Sequence, residues 1–183
     1  MPRLPSVLFS GIQRTMRRTL LMLGALGLLA FAALPASQTA AAPAMPTLAS
    51  NRAALALLDL MNQARAAYGL PPLQLQSGVE TVADVRALDM AAHGYFAHVN
   101  ASGIGAQQLL DAYGVPYHLL GENIARTTEP TDYPLDVLVP AVHQALMNSP
   151  HHRENVLETR FQHVGIAVAE IDREYYFAIV FTD

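Results

Sequence analysis

The 183 residues are 52% hydrophobic and 14% charged, with a formal net charge of −4 and no cysteine. That length holds one domain and an N-terminal extra, and the lack of thiols excludes disulfides, thiolate metal sites and cysteine nucleophiles. Four of the eleven arginines (Arg3, Arg14, Arg17 and Arg18) precede residue 45 while all fifteen acids follow it, so the remainder sits near −8, a poor match for nucleic acid or anionic lipid.

The chain opens with this basic stretch, then runs through the uncharged TLLMLGALGLLAFAAL (19–34) into the small-residue PASQTAAAPA. A basic head, an apolar centre and a small-residue exit are the pattern of a secretory signal. The sixteen uncharged residues fall short of the ~20 that a spanning helix needs, so cleavage near 40–44 is expected rather than an anchor. The expected organisation is a signal peptide and cleavage region over 1–44, a short tether over 45–51 and one domain over 52–183. The product is secreted, extracellular or periplasmic, with no stable membrane insertion after cleavage.

Asn51 is a candidate N-cap for a helix over 52–68, with Leu55, Leu58, Met61 and Ala64 or Arg65 at helical spacing, ended by Gly69 and Pro71-Pro72. A second helix fits 78–94, burying Val79, Val82, Ala83, Leu88 or Ala87, and Met90, again closed by glycine. AQQLLDAY (106–113) reads as a short helix and HLLGENIA (118–125) as an extended segment. PLDVLVPAVHQALM (134–147) reads as a helix in which Pro140 marks a kink or the true start. HVGIAVAEIDREYYFAIVFTD (163–183) alternates apolar residues on both sides of Asp172-Arg173, which predicts a strand–turn–strand hairpin. Helices followed by terminal strands point to α+β or an α/β/α sandwich, with a largely antiparallel sheet.

Seven histidines are present, without HExxH, GxSxG or a Walker loop. YFAHVN (95–100) puts His98 in a loop just beyond a glycine-ended helix. Glu122 stands among Leu119, Leu120 and Ile124, either at a strand's exposed end or buried and paired, since a lone buried carboxylate is costly. In SPHHREN, Ser149-Pro150 reads as an N-cap with proline at the first helical position, which turns His151 outward and His152 toward the packed face. Asn62, Arg65, Arg153 and Asn155 are expected to tie helices to loops. Ser102, in a loop beside glycine, is expected to be a turn residue.

The order LMNQAR…GLPPL, YFAHVN, GENIA, MNSPHHRENVL…VGIAVA and YFAIVF resembles the CAP superfamily, the SCP domain of cysteine-rich secretory, antigen-five and pathogenesis-related proteins, in its cysteine-free bacterial branch. The likeness covers essentially all of 52–183. It implies a three-layer α-β-α sandwich around a central, mainly antiparallel sheet, with a cleft lined by His98, Glu122 and His152. It also implies that His98 and His152 hold a divalent metal, Zn²⁺ or another divalent cation. Two positions depart from the pattern. Leu146 stands where the family has tryptophan, and Ser149 replaces a second acid, which bacterial members also do.

The implied function is a secreted binding or interaction module whose partner is a small apolar ligand or a cell-envelope or extracellular protein. The alternative is a metal-assisted, protease-like hydrolase with Glu122 as base beside His98 and His152. Binding is the favoured reading because the chain offers no obvious nucleophile.

Overall fold

The computed structural model describes residues 7–9, 13–16, 48–127 and 131–183. In chain order the elements are β1 (Val7–Phe9), β2 (Gln13–Met16), α1 (Leu48–Ala67), β3 (Gln74–Leu75), α2 (Ser77–His93), α3 (Ala106–Ala112) and β4 (Leu119–Thr127). Then follow α4 (Leu135–Asn148), α5 (Pro150–Val156), β5 (His163–Ile171) and β6 (Glu174–Thr182). The sheet order is β1-β4-β6-β5-β3, with β2 sharing the outer edge of β4. All pairings are antiparallel except β3 with β5.

The expected hairpin is β5–β6, and its turn places Asp172 at φ 50° and Arg173 at φ 67°. Positive φ at both central residues is what a two-residue turn needs to match the strand twist. The strands then deal their side chains to two cores. Val164, Ile166, Phe177, Ile179 and Phe181 join Leu57, Met61, Val142 and Leu146 from α1 and α4 on one face. Ala167, Ala169, Ala178 and Val180 join Val79, Val82, Ala83 and Met90 from α2, with Leu110 from α3, on the other. The fold is therefore an α+β sandwich, helices on both faces of the sheet. Tyr175 and Tyr176 point to opposite faces as alternation requires, but each meets a core, because neither face is open to water.

The α2 face of the sheet is lined by small residues, which lets that helix approach closely. Gly165 is the extreme case: a Cβ there would run into the Val79 carbonyl and come within 2.5 Å of the Glu80 nitrogen. Backbone cannot step aside as a side chain can, so Gly165→Ala should cost about 3 kcal/mol, the upper end of ordinary overpacking, in a urea melt.

One helix detail differs from expectation, and a second is resolved. The first helix begins at Leu48, so Asn51 lies inside its first turn, and residues 48–51 of the expected tether are helical. Its buried stripe is Ala53, Leu57, Met61 and Arg65, whereas Leu55 is 51% exposed. RAALALL is apolar almost all round, so its own pattern does not fix the phase; the sheet and α4 do. In α4, Pro140 lies inside the helix, and the start is at Leu135 behind an extended Pro134. At the N-terminus, β1 and β2 fall within the expected signal region, whose apolar run 19–34 lies outside the described residues. Among those described, no helix is long and apolar enough to cross a membrane.

Candidate functional site

The GEN triplet lies in mid-strand, and each residue has its own reason. At Gly121 a Cβ would meet the Phe161 ring at 2.8 Å and Asn155 Oδ1 at 3.1 Å, so only glycine lets that ring lie against the strand. Glu122 points to the α2 face and is fully buried. Asn123 points to the α5 face, where its Nδ2 donates to the His152 carbonyl (3.0 Å) and its Oδ1 accepts from Asn155 Nδ2 (2.8 Å). Glu122 is thus not at an exposed strand end; the reading in which it is buried and paired is the one that holds.

Both Glu122 oxygens are taken. Arg86 Nε donates to Oε1 at 2.9 Å, and His98 Nδ1 lies 2.5 Å from Oε2. A carboxylate only accepts, so His98 carries its proton on Nδ1 and its Nε2 holds the free lone pair in the neutral ring. That Nε2 is buried and has no hydrogen-bond partner in the protein.

Arg86 was not foreseen. It occupies the buried stripe of α2, one turn from Val82 and from Met90, at 1% exposure. An arginine at a core position of an amphipathic helix was the available signal, because such a charge demands a partner. Its Nη1 donates to the Tyr95 hydroxyl (2.7 Å) and its Nη2 to the Ala97 carbonyl (2.6 Å). Burial opposes the guanidinium charge, but Glu122 and Tyr95 together hold its pKa above the ordinary value.

The network continues outward. Tyr95 donates to Asp89 Oδ2 (2.6 Å), which also accepts from Asn100 Nδ2 (3.1 Å). Burial and the bond to Asp89 push the Tyr95 phenol up to about 12. Burial works against the Asp89 charge, yet the bonds from Tyr95 and Asn100, with His93 and Arg86 nearby, keep its carboxyl below the usual range. Asn100 Oδ1 accepts the amides of Ser102 and Ile104, so this one residue shapes the loop that carries His98 and pins it to α2. Ser102 is an exposed turn residue there, as expected. The chain ends at a surface groove of about 290 Å³ lined by Asp89, His93, Tyr95, Asn100, Ala101 and Ser102.

Ser149 is the N-cap of α5 and Pro150 opens the helix. His151 is exposed and His152 is 3% exposed, the division that the proline predicts. Ser149 Oγ turns to His152 Nδ1 at 2.7 Å and makes no cap to the backbone. The structure thus brings His98 and Glu122 into direct contact, while His152 joins the same stretch of β4 through its carbonyl and Asn123. Asn62 and Arg65 tie α1 to the following loop and to the far end of α5, as expected.

Among the described residues, no group of three or more histidine, aspartate or glutamate side chains stands placed to hold a metal ion. With Glu122 committed to Arg86 and His98, the donors left are imidazoles. Among the described residues, no contact brings His152 to His98, whose Nε2 lies on the Glu122 face of β4 while α5 packs on the Asn123 face, so a cation is offered at most one imidazole with water.

The sequence profile of the cysteine-rich secretory protein family (CAP) matches residues 58–182. An uncharacterized protein, YkwD, of Bacillus subtilis (strain 168) is 30% identical over 114 residues, 62% of this chain and 41% of that one. A solved extracellular protein containing a SCP domain from Bacillus anthracis superposes at a TM-score of 0.61 with 26% identity, over 73% of this chain and 41% of that one. An outer surface protein of Borrelia burgdorferi superposes at 0.63 with 21% identity, over 72% of this chain and 92% of that one, and shares the fold. The chain spans less than half the length of the first two.

Proposed function

The chain belongs to the CAP superfamily, the cysteine-rich secretory protein family, in its cysteine-free form, and on that premise we propose that it is an exported binding module. Its leader is removed near 40–44, and the mature domain works outside the cytoplasm through a cleft built on His98, Glu122 and His152. The observation that carries this reading is the buried, partnerless Nε2 of His98, set by a carboxylate behind it. Such a nitrogen accepts one bond from outside: a hydroxyl or amide of a small, largely apolar ligand, or a divalent cation.

A divalent cation would rest on His98 Nε2 with water, and it would supply Lewis acidity to whatever ligand bound there. Glu122 then acts from behind the imidazole, fixing its tautomer and ring orientation. The hydrolase alternative asks Glu122 to be a free base, and the Arg86 pairing counts against it.

Calorimetric titration of zinc into residues 45–183 tests the site. One weak event is expected, lost in His98→Ala. Glu122→Gln should weaken it by about 10–100-fold, the usual effect of an outer-shell partner. Unchanged affinity in His98→Ala would refute the site. Peptide or ester hydrolysis that Glu122→Gln abolishes would replace binding with catalysis.

A further inference from the structure

β4 carries a second group without a partner, further along the strand from Glu122. Side chains alternate along a strand, so Glu122, Ile124 and Arg126 share the α2 face, where Ile124 joins the core. Arg126 is half-buried, and its guanidinium lies over the Phe96 ring at 5.4 Å. Its Nε is buried with no hydrogen-bond partner. Among the described residues no carboxylate pairs with it. Glu122 is given to Arg86 and His98, and Glu174 on β6 accepts the hydroxyl of Tyr176, the residue opposite Arg126, at 3.3 Å.

Phe96 and His98 stand two residues apart on one loop, so their Cα atoms are at most about 7 Å from each other. One meets Arg126 and the other meets Glu122, so the loop runs alongside this face of β4. The Arg126 guanidinium and His98 Nε2 are therefore neighbouring, unsatisfied groups of opposite kind: the first only donates, and the lone pair of the second only accepts. The charge is unbalanced as well. Glu122 and Arg86 cancel, the neutral imidazole adds nothing, and Arg126 leaves one positive charge beside an aromatic ring. Burying part of a cation without a counter-charge is unfavourable, and a cation–π contact offsets only part of that cost.

We propose that Arg126 is the anion seat of the cleft, and that the ligand is a small organic carboxylate. Its acid group accepts from the terminal nitrogens of Arg126, its apolar body lies beside Phe96, and its hydroxyl or amide donates to His98 Nε2. The His98 contact rests on the binding reading given above; the Arg126 seat does not.

The probe is para-hydroxyphenylacetate, titrated into the full chain beside its neutral amide and beside para-methoxyphenylacetate, which lacks the donor. The acid should bind at least about tenfold more tightly than the amide, as expected for a hydrogen bond between charged groups, and should shift the Arg126 Nε–H resonance. Arg126→Gln should bring the acid down to the level of the amide, while Arg126→Lys keeps part of the preference because the charge stays and the fork is lost. His98→Ala should remove only the preference for hydroxyl over methoxy. Equal binding of acid and amide, or an acid preference that survives Arg126→Gln, overturns the anion seat, and the His98 reading then stands on the hydroxyl preference alone. An acid preference that needs Arg126 but shows no hydroxyl preference keeps the seat and overturns the His98 contact. No binding of any of the three probes overturns both.

Discussion

Arg86→Met should destabilise the domain by about 3–5 kcal/mol, because it strands a buried carboxylate. Glu122 has no exposed surface, and among the described residues its other oxygen is held by His98. The same change removes the donors to Tyr95 and to the Ala97 carbonyl, freeing the segment that leads into His98. Against a total stability of roughly 5–15 kcal/mol, the variant is expected to be marginal at best. Adding Glu122→Leu should recover more than half of the loss, since an apolar pair carries no desolvation penalty. Urea denaturation of the two variants decides the matter. A cost below about 1 kcal/mol for Arg86→Met would mean that Glu122 is neutral in the fold, and the free lone pair on His98 Nε2 would no longer follow.

How much of this was legible depends on where each determinant lies. The β5–β6 hairpin and the end of α2 at Gly94 are local, written in alternation and in a glycine at φ 63°, and both stand as read. The choice of His152 over His151 was legible for the same reason: Pro150 fixes the start of α5, and one residue of phase settles which ring turns inward. The phase of α1 was not legible, because its sequence is apolar on several faces and the sheet and α4 select Leu57 over Leu55. Glu122 was ambiguous until Arg86 entered, and that partner lies 36 residues away on another element. The pairing of residues 7–9 and 13–16 with β4 is more distant still, and a strand's partner cannot be read from the strand. The family resemblance pointed to His98, Glu122 and His152, and of these the structure shows His98 and Glu122 in contact.

Arg65→Met is the second large effect, on the order of 4 kcal/mol, and it acts on the opposite face of the sheet. Arg65 is fully buried and gives its guanidinium to four carbonyls: Pro71 at 2.8 Å, Val156 at 2.9 Å, Glu158 at 3.0 Å and Phe161 at 3.2 Å. Burial lowers its pKa, with the Glu158 charge acting the other way. Two of these carbonyls close the end of α5, and Phe161 is the ring that lies against Gly121 and stacks on Phe181 at 5.4 Å. One side chain therefore holds α1, the loop after it, the helix that carries His152 and the ring beneath GEN. Methionine fills much of the volume and satisfies none of the four acceptors. Arg65→Lys keeps the charge but lacks the planar fork, so it should recover less than half of the loss. Native-state hydrogen exchange separates a local clamp from a core filler: amides of Arg153 to Leu157 should open well before those of β5 and β6 in Arg65→Lys. Uniform loss of protection across the domain would refute the clamp.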